Sequence, residues 1–316
     1  MTAAWVACGV RARAMSRRRL GAATARRLAS SPNLGEAVEA LSATPYGKYV
    51  RPGQTLAEAQ HAVSAAVLWH LRVLAGWVPH GDARVLRVLA GGFEVANTDE
   101  RLRDLAGSAS EPRFVLGSLT TADGRIQQAT SVAQVREALA QSAWGDPGAD
   151  TPAAIHLGMR LSWASRVAAV LPLARAWAAG AAALVIAREV LVAGQRPTEA
   201  ASRLTAPLLG ASWPGERTLA GLATALPPDA RWALRDVHDP AELWQAEAAW
   251  WSRVEHEGFT LLRSPVTGPE PLVGSVAVLA ADAWRVRAAL AVAARGGGSP
   301  GSPGSPGALE AFDAMA

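Results

Sequence analysis

Apolar positions recur at helical intervals along most of the chain. Over residues 55–77, Leu56, Val63, Val67, Leu71 and Leu74 share a face, and Thr55 and Glu58 have the spacing of a capping box. Residues 83–106 repeat the pattern through Val85, Val88, Leu89, Leu102 and Leu105. Residues 157–192 read as a long apolar helical stretch broken at Pro172. Residues 239–257 open on Asp239, Pro240 and Glu242, a cap with proline at the first helical position, and 272–294 read as a last, mostly apolar helix. Strand signals are few, and residues 114–119 read at most as a short extended piece. The pattern predicts an all-α protein. Residues 296–307 repeat Gly-Ser-Pro ahead of a short acidic peptide, so a flexible linker and tail are expected over 296–316.

One helical pattern returns. Residues 34–47, LGEAVEALSATPYG, fall on 132–145, VAQVREALAQSAWG, without a gap. Glu39/Glu137, Ala40/Ala138, Leu41/Leu139 and Gly47/Gly145 are identical, Tyr46 meets Trp144, and the caps Asn33 and Ser131 align. Each copy reads as a capped helix with an aromatic-glycine stop, Tyr46-Gly47 or Trp144-Gly145, the glycine being free to take positive φ. A weaker third copy is expected at Asp239, and residues 88–102 lie 190 positions before the similar 278–292. These spacings predict three pseudo-repeated helical units, over 1–107, 108–210 and 211–295.

Composition narrows the function classes. Half of the 316 residues are hydrophobic and 18% are charged, which suits a globular chain with a sizeable core. The net charge is only +4, without the concentrated basic excess of a nucleic-acid binder. A single cysteine, Cys8, excludes an internal disulfide framework and a cysteine-clustered zinc site, and it reads as a small buried residue. No uninterrupted apolar run reaches about 18 residues, so no spanning helix is expected. The arginine-rich start lacks the apolar stretch of an export signal and reads as mature sequence.

Catalytic patterns are not found. The one lysine, Lys48, lies in ATPYGKY, where a phosphate-binding Walker loop would need glycine at Ser42 and a hydroxyl residue at Tyr49. The six histidines have no partner at i+4, and Gly91-Gly92 follows no strand. Glu255-His256-Glu257 reads as a solvated helix end. A non-catalytic protein without cofactor or metal is therefore expected. Arg11, Arg13, Arg17, Arg18 and Arg19 form a basic stripe, which reads either as a docking surface for an acidic protein or lipid head groups or as a solvated helix face. Among the twelve tryptophans, Trp69, Trp77, Trp163, Trp177, Trp244, Trp250, Trp251 and Trp284 sit within apolar helical periods and are expected mostly in the core. Adjacent Trp250 and Trp251 cannot share a helical face.

Three stretches carry a resemblance. Residues 5–50 contain Val10, Arg11, Ala12 and Arg13 and then Thr44-Pro45-Tyr46-Gly47; residues 93–97 are Phe-Glu-Val-Ala-Asn; a late apolar run passes into Trp284-Arg285-Val286-Arg287. In this order of elements the chain resembles the family of V-type and A-type ATPase subunits that join the rotor ring to the central stalk, the d-subunit family of the eukaryotic enzymes. The chain departs from that family in its few lysines, in Glu94 where aspartate is more usual, and in its Gly-Ser-Pro tail. The resemblance implies a funnel-like body of three homologous helical units on the cytoplasmic face of the membrane. Its implied partners are the rotor ring and the central stalk, and its implied role is mechanical coupling of ATP turnover to proton or sodium movement. The competing expectations are a free-standing helical-repeat scaffold and a helical enzyme without a recognisable motif.

Overall fold

The structure, a computed structural model, describes residues 3–266 and 268–296. It is all-helical, with no strand among the described residues. The helices run α1 (Ala3–Ser16), α2 (Ala22–Ala29), α3 (Leu34–Ser42), α4 (Leu56–Ala75), α5 (Arg84–Leu89), α6 (Gly91–Leu105), α7 (Asp123–Gln128), α8 (Val132–Ala140) and α9 (Pro152–Val170). They continue as α10 (Arg175–Ile186), α11 (Glu199–Leu209), α12 (Leu219–Ala225), α13 (Pro228–Arg231), α14 (Leu243–Arg263) and α15 (Glu270–Ala293). The expected tail lies outside the described residues, apart from its first residue.

Two compact units form, one from residues 1–80 with 251–316 and one from 81–250. This division differs from the expected boundaries at 107 and 210. The reason lies in α15, which is mostly apolar and buries most of its length, with Arg287 left exposed. It packs on α1, α2, α3 and α4 and so joins the end of the folded chain to its beginning. In the second unit α9 is central, packed on α5, α6, α10 and α11.

Local chemistry explains most helix ends. Thr55 and Glu58 complete the expected capping box at α4. Pro172 separates α9 from α10. The single helix expected over 83–106 is instead two, α5 and α6, broken at Ala90. A Cβ on Gly91 or Gly92 would come within 2.7 Å of Trp163, so the glycines let that ring seat against the helix start. The Trp163 indole N–H then donates to the Val88 carbonyl, 2.8 Å away, beside the break. Residues 114–119 form no strand. Gly117–Leu119 is a 3₁₀ turn, and Phe114 is held by one side chain: its N–H donates to Asn97 Oδ1 (2.7 Å) and its carbonyl accepts from Asn97 Nδ2 (2.9 Å).

The matched segments 34–47 and 132–145 fold alike locally. Asn33 accepts from Glu36 N–H and Ser131 from Gln134 N–H. Leu41 and Leu139 are buried, as are Tyr46 and Trp144. The following turns share one bonding pattern: Thr44 and Ser142 donate to the Leu41 and Leu139 carbonyls (2.6 and 2.7 Å) and accept from the Tyr46 and Trp144 amides (3.2 and 3.1 Å). The glycines serve different needs. Gly145 takes φ +79°, whereas Gly47 stays out of the left-handed region. A Cβ at Gly47 would instead lie 1.8 Å from the Ser42 carbonyl oxygen. A further helix with the same cap begins at Thr218, which accepts from Gly221 N–H and leads to buried Leu222 and Leu226. At Asp239, where a third copy is expected, a capping box opens a short 3₁₀ turn that leads into α14.

Each unit also holds one buried carboxylate bonded to the amides that lead into a short helix. In the first unit, Asp282 on α15 accepts from Leu20 N–H (2.9 Å), Gly21 N–H (2.8 Å) and the Tyr46 hydroxyl (2.9 Å) at the start of α2. In the second, Glu94 on α6 accepts from the N–H groups of Thr121 (2.9 Å) and Ala122 at the start of α7. Asp282 is 0% and Glu94 1% exposed, so these bonds replace water entirely. The two acids match at a register of 188, two residues away from the alignment that the sequence suggests. Replacing Asp282 by alanine should strand the buried Tyr46 hydroxyl and two half-buried amides and cost roughly 3–5 kcal/mol. Urea unfolding of Asp282→Ala should show a lower midpoint with an unchanged slope, and a loss below about 1 kcal/mol would contradict this assignment.

Candidate functional site

The basic stripe does not stay together. Arg13 turns inward: its Nε donates to the Leu262 carbonyl (2.9 Å) and its Nη2 to the Ser264 carbonyl (2.8 Å). These carbonyls lie at the C-terminal end of α14, where a cation is favoured. Arg13 therefore ties helices together and does not line a docking surface. Arg19 lies over the Phe259 ring of α14, 4.8 Å from its centroid. Arg17 is exposed.

Arg11 and Arg18 meet a different group, on α4. The Arg11 guanidinium lies 5.8 Å from the Trp77 ring centroid and that of Arg18 5.9 Å from Trp69. Lys48 also faces Trp69, with Nζ 4.3 Å from the centroid. Trp77 is 45% accessible. Trp77 is thus a surface residue, contrary to the core placement expected from periodicity. Arg11, Arg18 and Lys48 with Trp69 and Trp77 form a basic-aromatic face, and cation–π contact holds their long side chains in place. The sequence carries no local signal for Lys48 in this group, because the turn after α3 brings it to α4 from a distance.

His70 stands at this face's inner edge. Its Nδ1 is 2.6 Å from the Ala66 carbonyl oxygen and its Nε2 is buried without a bonding partner. Burial lowers its pKa, the Ala66 carbonyl opposes that shift, and the charges of Arg18, Arg11 and Lys48 lower it further.

Residues 255–257 are not a free helix end. Glu255 receives Nη2 of Arg285 at 2.6 Å and Nη1 at 3.2 Å, and the Arg285 side chain is only 4% exposed. Glu257 pairs with Arg253 at 2.7 Å. The adjacent tryptophans separate as helical geometry requires. Trp251 stacks on Trp284 with ring centroids 5.8 Å apart, while Trp250 donates to the Trp177 carbonyl at 2.9 Å. Burial pushes the Cys8 thiol up to about 11, so it stays protonated and unreactive near neutral pH. Tyr46 is likewise held protonated, by burial first and by the neighbouring Asp282 second.

Among the described residues no group of three or more His, Cys, Asp or Glu side chains is placed to hold a metal ion, and no helix is long and apolar enough to cross a membrane. No protein-family model matches the chain, and no curated protein matches it either.

The environment of His70 gives a pH signature. Its folded pKa lies below that of the unfolded chain, near 6.5, so the unfolded state takes up the proton first as pH falls. The contribution of His70 to stability is complete above about pH 6.5 and is lost as pH falls toward the folded pKa. Unfolding measured between pH 7 and 5 should have a shallower pH dependence in His70→Gln than in the wild type. Equal slopes would show that His70 ionises freely in the folded protein.

Proposed function

We propose that this chain is a non-catalytic structural subunit of a rotary V-type or A-type ATPase. In this role it couples the central stalk to the membrane rotor ring during ATP-linked proton or sodium transport. It rests on the cytoplasmic face of the membrane as a peripheral protein, and its body is a funnel of three related helical units. A coupling element must carry torque without its helices sliding, so interlocking polar contacts at helix crossings suit the task.

The observation that carries this reading is where the resembling residues fall. Tyr46, from Thr44-Pro45-Tyr46-Gly47, bonds Asp282; Glu94 and Asn97, from the Phe93–Asn97 element, both bond distant backbone; Arg285 pairs with Glu255 across two helices. Each is buried and each fixes one segment against another. Part of the resemblance therefore lies in the locks of the fold. The basic-aromatic face is the proposed contact with acidic groups of a ring, stalk or membrane surface.

Affinity capture of the tagged full chain from cells that carry the complex, with mass spectrometry of what is retained, tests this. Rotor-ring and stalk subunits should be recovered with the wild type. Recovery should fall about tenfold, and more at higher salt, with Arg11→Glu, Arg18→Glu and Lys48→Glu combined. A wild-type chain that captures no ATPase subunit would leave a free-standing helical scaffold.

A further inference from the structure

A cleft of about 630 Å³ opens in the second unit, well away in sequence from the basic stripe. Four arginines line it: Arg84 and Arg87 from α5, Arg125 from α7 and Arg166 from α9. Thr120, Thr121 and Ser142 add hydroxyl groups, and Val88 and Ala169 add an apolar portion. No acidic side chain lines the cleft.

Among the described residues, none of the four arginines lies within 4.0 Å of a carboxylate oxygen. Their bonds go to neutral acceptors: Arg87 to the Ser118 carbonyl at 3.5 Å, Arg125 to the Gln141 side chain and carbonyl at 3.3 Å each, and Arg166 to the Thr121 hydroxyl at 3.2 Å. Arg166 Nη1 and Arg87 Nε are buried and have no partner. The Glu94 charge acts on Arg166 without a direct ion pair, and the Glu94 oxygens accept from the Thr121 and Ala122 amides. The Arg166 guanidinium is held over the Trp144 ring, 4.3 Å from its centroid, which fixes its plane.

Like charges gathered around a cavity repel one another, and an anion that bonds several of them at once relieves the repulsion. Guanidinium forks match phosphate oxygens in pairs, and one phosphoryl group offers more acceptor sites than a carboxylate does. Arginines on three separate helices, with three hydroxyl side chains in the same lining, exceed what one carboxylate satisfies. We propose that this cleft binds a phosphate-bearing small molecule with at least two phosphoryl charges. The recognition is by side chains and does not involve a glycine-rich loop, so the lack of a Walker sequence does not bear on it. The inference stands apart from the proposed coupling role.

Isothermal titration of the full chain with inorganic pyrophosphate, against sodium sulfate at matched ionic strength, tests the site. Pyrophosphate should give saturable one-to-one binding that sulfate does not reproduce. Arg84 and Arg125 are exposed and their loss should leave the fold intact, so Arg84→Gln combined with Arg125→Gln should keep the wild-type melting temperature and bind at least tenfold more weakly. Arg87→Gln should weaken binding in the same direction. Absence of saturable heat, or variants that bind as tightly as the wild type, would overturn the proposal. A glutamate-rich peptide that binds where pyrophosphate does not would assign the cleft to an acidic protein segment and would equally overturn it.

Discussion

The fold depends on a buried carboxylate that satisfies backbone amides arriving from far along the chain. Helices α2 and α7 have 8 and 6 residues, too short to persist alone. Each begins next to amides that have no partner of their own, and burying such amides without one would cost about as much as a lost hydrogen bond. Asp282 and Glu94 supply that partner from long helices, and the positive end of each short helix favours the negative charge. The same bonds solve the acid's own problem, since a buried carboxylate is tolerated only when it is fully bonded. Residue pairs separated by 261 and 28 positions are thereby placed in register.

Much of the architecture is legible in sequence, because helical periodicity and caps are local. Thr55 with Glu58, Pro172 and the matched segments at 34 and 132 act within a few residues of themselves, so their patterns survive as written. The errors arise where a distant neighbour decides. Trp163 splits a helix that periodicity reads as continuous, and Arg13 belongs to the end of α14 although its neighbours in sequence point outward. The two capping acids are invisible to sequence alignment, because similar apolar letters pull the register two positions from the one their bonds define. The division into two units follows from α15 returning to the first helices, which no local signal announces.

The candidate surfaces were legible to different degrees. Arginine density marks the N-terminal region, yet only Arg11 and Arg18 of the five join the aromatic face, and Lys48 completes it from the turn after α3. The arginine-lined cleft has no sequence signature at all, since its members come from residues 84 to 166 without a recurring interval. Both surfaces join fixed cations to apolar or aromatic groups. The proposed coupling role draws on the first surface, whereas the interlocked interior provides the stiffness that such a role requires.

Hydrogen exchange tests the central constraint most directly, because it reads the capped amides one at a time. The amides of Leu20, Gly21, Thr121 and Ala122 lie outside regular helix and would ordinarily exchange quickly. If the buried carboxylates hold them, all four should exchange only through opening as costly as that of the core of α15 or α9. Exchange at the rate of an exposed turn such as the one at Gly53 would contradict the account.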